Sequence, residues 1–291
     1  MKKCLFTGVA TALATPFDDK GVNIPELKKF INFQIEAGVD ALVVCGTTGE
    51  ASTMTQEEKF QCIECAVSTS NKRVPVIVGT GSNDTKTAIT NSLLAEQLGA
   101  DGLLVVTPYY NKTTQKGLIE HFKAIASSVS IPIILYNVPG RTGMNITPET
   151  CFELSKIDNI VGIKESSGNI SQIAQIARLC GNNFAIYSGN DDQIVPVLSL
   201  GGKGVISVLS NVKPEFTCKI TNSFFKNDVT KACTYQLQAL PLIDALFAET
   251  NPIPVKSAIN MIGFNFGKPR LPLIECSDKL KETLHNCKNM L

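Results

Sequence analysis

The feature that most constrains this chain is an alternation: short apolar runs rich in β-branched residues recur, each separated from the next by a helical pattern. The runs are 41–45 (Ala-Leu-Val-Val-Cys), 75–79, 102–106, 131–136, 160–164, 184–188 and 203–208, with a weaker one over Gly8–Leu13, which makes eight. They are continuous apolar stretches with no polar alternation, the pattern of parallel strands covered on both faces. The helix signals between them are explicit. Asn23 precedes Ile24-Pro25-Glu26, a cap followed by proline and an acid in the first turn. Leu27, Phe30, Ile31 and Ile35 then recur at helical spacing until Gly38. Thr55 and Glu58 have capping-box spacing, and Thr147-Pro148-Glu149 opens a further helix. Ile89, Leu93, Leu94 and Leu98 form another apolar stripe before Gly99. Two helix exits echo each other, Gly38-Val39-Asp40-Ala41 and Gly99-Ala100-Asp101-Gly102, as expected of one βα unit used repeatedly.

Eight such units predict an α/β fold, a (β/α)8 TIM barrel, over residues 1–224. A doubly wound sheet is the alternative. It usually has fewer parallel strands and often a Gly-x-Gly-x-x-Gly turn after the first, and Gly79-Thr80-Gly81 is only a lone Gly-x-Gly. From about 225 the strand pattern ends. Residues 225–291 read as a C-terminal α-helical domain with helices over Tyr235–Ala248 and Asp278–Leu291, and Asn251-Pro252-Ile253-Pro254 as a rigid connector.

Composition narrows the function. Lys and Arg total 27 against 26 acids in 291 residues, so the basic excess that a nucleic-acid partner wants is missing. Hydrophobic residues make up 44%, enough for a large core, yet no apolar run reaches the ~18 residues of a membrane span. The start, Met1 to Gly8, has too short an apolar part for a signal peptide. The ten cysteines are scattered and form no disulfide framework. Cys62 and Cys65 lie inside a helical pattern without the further ligands a zinc site needs, so they read as packed helix thiols in a reducing cytosol. Cys45 reads the same way.

In a barrel the strand C-termini carry function. Gly46-Thr47-Thr48-Gly49-Glu50 follows strand two, Thr107-Pro108-Tyr109-Tyr110-Asn111 strand four, Tyr136-Asn137 ends strand five with Arg141 close behind, Lys164-Glu165 ends strand six, Gly189-Asn190-Asp191-Asp192 follows strand seven, and strand eight holds Ile206-Ser207. Lys164 closes an apolar strand, so its amine projects into the barrel mouth. Burial there disfavours the ammonium, and a neutral amine attacks a carbonyl to give a Schiff base. The competing reading is a lysine paired with a carboxylate at a strand end. Tyr136 is either a proton relay near the same rim or a core aromatic with a satisfied hydroxyl. Thr47 and Thr48 either hold a carboxylate or only shape a turn. Arg141 offers a bidentate fork for a carboxylate or is a solvated loop arginine.

Gly46–Glu50, Tyr136-Asn137-Val138-Pro139-Gly140-Arg141-Thr142-Gly143, Gly162-Ile163-Lys164-Glu165 and Asn251-Pro252-Ile253-Pro254-Val255-Lys256 resemble the dihydrodipicolinate synthase (4-hydroxy-tetrahydrodipicolinate synthase) family, within the pyruvate-dependent class I aldolases. The similarity runs from Phe6 to the C-terminal helices. It implies a lyase that condenses pyruvate with L-aspartate-4-semialdehyde at the entry to diaminopimelate and lysine synthesis. Lys164 would form the imine, and Tyr136, Thr47 and Tyr110 a hydroxyl relay, with Tyr110 reaching a neighbouring subunit. Thr48 would bind the pyruvate carboxylate and Arg141 that of the semialdehyde, while Gly189 and Ile206 line the pocket. The resemblance implies no metal, no cofactor beyond the covalent imine on Lys164, a cytoplasmic location and a homotetramer of tight dimers. Lysine-inhibited members use histidine and glutamate side chains where this chain has Gln56, Lys59 and Thr87, although Asn83 and Tyr109 match. A lysine at Lys59 repels an incoming lysine, which predicts weak or absent inhibition. Two rivals remain open: another imine aldolase of the same barrel, such as an N-acetylneuraminate or 2-keto-3-deoxy sugar acid lyase, and a barrel that binds without turnover.

Overall fold

The computed structural model describes residues 2 and 4–288. Eight parallel strands, β1 (Gly8–Ala12), β2 (Ala41–Val44), β3 (Val76–Gly79), β4 (Gly102–Val106), β5 (Ile133–Asn137), β6 (Ile160–Glu165), β7 (Ala185–Ser188) and β8 (Gly204–Ser207), close into a barrel. Each strand pairs with its neighbours in sequence, and β1 pairs with both β2 and β8. This is the predicted TIM barrel; a doubly wound sheet would be open. A two-residue antiparallel ribbon, Phe17–Asp18 with Gly21–Val22, decorates the loop after β1.

The helices are α1 (Ile24–Glu36), α2 (Gln56–Ser70), α3 (Thr85–Gln97), α4 (Gln115–Ser128), the single turn α5 (Pro139–Thr142), α6 (Pro148–Ser155), α7 (Ile170–Cys180), α8 (Ile194–Ser199), α9 (Pro214–Phe225), α10 (Val229–Phe247), α11 (Ile253–Met261) and α12 (Asp278–Lys288). The predicted caps form. Asn23 accepts from the Glu26 N–H, Thr55 and Glu58 complete a reciprocal capping box, and Thr147 accepts from the Thr150 N–H. The echoed helix exits are one motif built twice. Gly38 and Gly99 both sit at φ +87°, which glycine alone adopts without strain. Asp40 Oδ2 then accepts the Val9 N–H at 2.8 Å and Asp101 Oδ2 the Val76 N–H at 2.9 Å, so each aspartate ties the incoming strand to the previous one.

Three local expectations are corrected. On α3 the buried face is Ala88, Ser92 and Ala95; the leucines lie on its flank, with Leu93 37% exposed. Small side chains let this helix lie close to the sheet, so the apolar stripe and the buried stripe differ. Arg141, a loop arginine in the competing reading, stands in the turn of α5, closed by Gly143 at φ +67°. The expected connector at Asn251–Pro254 is half helix, because α11 begins at Ile253.

Two apolar cores lie on either side of the sheet. Phe6, Val43, Ile77, Leu104, Ile134 and Ile206 are among the side chains that fill the barrel interior. A larger outer cluster joins the strands to the surrounding helices and takes in Phe266, Leu280 and Leu284 from the C-terminal segment. Gln236 of α10 donates to Asp191 O at 2.8 Å and accepts from Val195 N at 3.2 Å, which fastens α10 to the loop after β7.

Candidate active site

Lys164 lies one residue before the end of β6, with Tyr136 of β5 and Tyr187 of β7 as its register partners. All three therefore face the barrel interior in one layer. A regular strand would forbid this, because Val161 also faces the interior and lies three residues from Lys164, on the opposite parity. A register irregularity opposite Ile133 and Ile134 supplies the extra residue. It turns Lys164 inward and sends Ile163 into the outer core.

Lys164 is 5% exposed, and its nitrogen stands 4.5 Å from the centroid of the Tyr136 ring, a cation–π distance. It forms no ion pair or hydrogen bond with the described residues. The neighbouring Glu165 faces away and is satisfied elsewhere: Asn137 Nδ2 donates to both its oxygens at 3.1 Å, Gln172 Nε2 at 3.1 Å and Ser167 N at 2.8 Å. Lys164 is thus not a strand-end lysine tied to a carboxylate. Gly189 packs directly on its stem, since a Cβ there would lie 2.9 Å from Lys164 Cε and 1.8 Å from Ser166 Oγ. Ile206 is fully buried in the same interior, beside Ala10 of β1.

The turn after β2 is held from several sides. Cys45 at φ +54° ends the strand, Gly49 N donates to Gly46 O and Glu50 N to Thr47 O, both at 3.1 Å, and Thr15 Oγ1 donates to Gly49 O at 2.8 Å. Thr48 is 4% exposed and accepts from Asn251 Nδ2 at 3.0 Å; Thr47 is exposed. Glu50 closes the turn at φ +56° with a buried carboxylate. One oxygen pairs with Lys256 at 2.8 Å and the other accepts from Arg270 N at 2.8 Å. Lys256 also donates to Lys268 O at 3.1 Å and sits 4.4 Å from the Phe17 ring centroid. Burial holds the Lys256 pKa below its ordinary value, although Glu50 opposes this. Arg141 Nη2 donates to Asn251 O at 3.1 Å. Tyr110, in the loop after β4, is 92% exposed at φ +69° and has no partner among the described residues.

Of the predicted residues, then, Lys164, Tyr136, Gly189 and Ile206 converge in the barrel mouth, and Thr48 and Arg141 are joined through Asn251. The side chains of Thr47 and Tyr110 are exposed and have no partner among the described residues. Glu50, Asn251 and Lys256 belong to the same motifs as the predicted residues, yet no local pattern marks them. Their partners lie some 200 residues away, and only the burial of a charged pair at opposite ends of the chain signals them. Asp191 was likewise expected on the rim without a role. Its carboxylate is buried, its Oδ2 accepts from Val208 N and Leu209 N at 2.9 Å, and burial raises its pKa.

Among the described residues no group of three His, Cys, Asp or Glu side chains could hold a metal ion. The cysteines form no disulfide; Cys62 and Cys65 are buried on α2, where the hydrogen bond with the Cys45 thiol, joined by burial, raises the Cys62 pKa and burial raises that of Cys65. Among the described residues no helix is long and apolar enough to cross a membrane.

The chain is 57% identical over 280 residues to 4-hydroxy-tetrahydrodipicolinate synthase 1 of Clostridium acetobutylicum, covering 96% of each protein. The crystal structure of dihydrodipicolinate synthase from Thermotoga maritima matches with a TM-score of 0.97 at 41% identity, covering 99% of this chain and 100% of that one. The Acinetobacter baumannii dihydrodipicolinate synthase, solved as a complex with pyruvate, matches with a TM-score of 0.95 at 39% identity over 99% of both chains. The dihydrodipicolinate synthetase family matches residues 5–289, and with the barrel and its buried strand-end lysine this places the chain in that family.

Proposed function

We propose that the chain catalyses the 4-hydroxy-tetrahydrodipicolinate synthase reaction, joining pyruvate to L-aspartate-4-semialdehyde through an imine on Lys164. The observation that carries this reading is a buried lysine amine with no ion pair or hydrogen bond among the described residues, set over the Tyr136 ring at the mouth of a barrel. The amine adds to the ketone of pyruvate and water leaves, giving the imine. Loss of a methyl proton gives an enamine, whose carbon attacks the aldehyde. The amine of the semialdehyde then displaces Lys164, closing the ring and freeing the enzyme. Thr48 binds the pyruvate carboxylate and Arg141 that of the semialdehyde; both substrates are small anions, so a local cation suffices in a chain of net charge +1. Gly189 and Ile206 shape the pocket around the imine. Tyr136 exchanges protons with the reacting oxygen and nitrogen. No metal or organic cofactor has a step in this sequence.

The side chains of Thr47 and Tyr110, exposed and without a partner among the described residues, are a reason to propose a tight homodimer, in which Tyr110 of one subunit completes the hydroxyl relay of the other. Two such dimers would make the tetramer. The assignment places the protein in the cytoplasm, at the entry to diaminopimelate and lysine synthesis.

A coupled assay with pyruvate and aspartate-4-semialdehyde, beside borohydride trapping and mass mapping, tests the reading. An adduct on Lys164 and turnover are expected; absence of the adduct defeats it. Arg141→Leu is expected to keep the pyruvate adduct and to lose about 100-fold in kcat/KM for the semialdehyde, the worth of a bidentate charged contact. Full activity in that variant would favour an aldolase for another aldehyde.

A further inference from the structure

Asn251 touches both groups assigned to the substrate carboxylates, yet the reaction as written gives it no part. It is 5% exposed and lies just ahead of α11. Its Nδ2 donates to Thr48 Oγ1 at 3.0 Å, while its main-chain carbonyl accepts from Arg141 Nη2 at 3.1 Å. Its Oδ1 is buried with no partner among the described residues.

The direction of the first bond matters. A hydroxyl has one proton to give and lone pairs to receive. With a lone pair occupied by the Asn251 N–H, Thr48 retains its proton for another acceptor. A carboxylate is acceptor-only, so a threonine that must bind one has to arrive as a donor. The second contact ties the same residue to Arg141, so one asparagine holds the turn after β2 and α5 in fixed relation. We infer that Asn251 is a positioning residue: it sets Thr48 as the hydrogen-bond donor to the pyruvate carboxylate and keeps Arg141 in register with it. This rests on the function proposed above.

Asn251→Asp is the discriminating variant, because it preserves size but offers only acceptors. It would take the Thr48 proton and leave that hydroxyl without one for pyruvate. Asn251→Ala removes the partner but leaves Thr48 its proton. The expected order is therefore a rise in KM for pyruvate of about 30-fold in the aspartate variant, and of only about threefold in the alanine variant. KM for the semialdehyde should rise about threefold in both, through the loosened carbonyl beneath Arg141. A residue that merely fills space predicts the reverse order, since the isosteric variant is then the milder. In a Thr48→Val background no hydroxyl remains to be oriented, and the two Asn251 variants should differ by less than about threefold. A full difference persisting there would mean charge repulsion alone, and would overturn the inference. So would an alanine variant as impaired for pyruvate as the aspartate one, or losses confined to kcat. If the aspartate variant does not fold, the cycle of Asn251→Ala with Thr48→Val decides the matter: coupled residues give a double variant no worse for pyruvate than Thr48→Val alone, and additive losses refute the coupling. Borohydride trapping on the unaltered enzyme comes first. Its failure refutes the pyruvate-imine reading itself, whereas failure of the predicted order with trapping intact refutes only the role of Asn251.

Discussion

Replacing Lys256 by methionine tests how the two ends of the chain are locked together at the site. Both side chains of the Lys256–Glu50 pair are 1% exposed and 2.8 Å apart. Lys256→Met leaves the Glu50 carboxylate buried, with the Arg270 N–H as its remaining donor. Stranding one member of a buried pair costs about 3–5 kcal/mol. At roughly 2–4 °C per kcal/mol for a chain of this size class, the unfolding midpoint should fall by about 10 °C. The pair itself is a weaker contributor than that loss suggests. Burial lowers the Lys256 pKa despite the attraction of Glu50, so desolvation of the amine outweighs the Coulomb gain. The double variant Glu50→Gln/Lys256→Met, with no charge to bury, should therefore recover to within about 1–2 kcal/mol of the parent. Thermal unfolding at fixed protein concentration, read beside KM for pyruvate, is the assay. KM should rise in the single variant, because Glu50 closes the turn that carries Thr48. A midpoint within about 2 °C of the parent for Lys256→Met, or a double variant less stable than the single, would refute the reasoning.

Gly189→Ala places a methyl 2.9 Å from Lys164 Cε and 1.8 Å from Ser166 Oγ, so borohydride-trapped imine should drop at least about tenfold with the fold retained, whereas Gly140→Ala, with open space at its Cβ, should be silent; equal trapping in the two variants would count against the packing of Gly189 on Lys164. L-Lysine at millimolar concentration should leave turnover nearly unchanged, because the Lys59 ammonium repels a second lysine, and neither Gln56, bonded to Asn91, nor Thr87, bonded to Asp84, offers it a carboxylate. Strong inhibition in a steady-state assay would contradict this. Glu58 is held near pKa 2, mainly by its hydrogen bonds from Arg270, against an ordinary 4.5. The unfolded chain binds more protons between those values, so this contribution is complete above about pH 4.5 and is lost as the pH falls toward 2. Discounted for solvent screening it amounts to about 1 kcal/mol, and the acid limb of a stability–pH profile should flatten by that much in Glu58→Gln.

The barrel was legible in the chain because its determinants are local. A strand covered on both faces must be apolar throughout, and helix caps act within four residues, so Asn23, Thr55 and Thr147 announced their helices directly. The candidate site was legible to the extent that its residues end strands: Lys164, Tyr136 and the turn after β2 follow apolar runs. The inward face of α3 was not, because burial depends on how close a helix lies to the sheet, and the largest side chains went to its flank.

What the sequence determined by itself was therefore the order and type of elements, and which end of the barrel holds the candidate site. Tertiary structure decided three things. The irregularity in β6 turned Lys164 inward, which depends on pairing with β5 and leaves no mark on the run Ile160–Glu165. Lys164, not Lys256, was left without an ion pair among the described residues, although both are buried lysines in recognisable motifs. Asn251 came to lie between Thr48 and Arg141 because α11 returns to the barrel mouth. The physical reason is common to all three. Propensity and capping act between near neighbours in the chain, whereas pairing register, charge burial and hydrogen-bond direction depend on groups brought together only when the barrel closes.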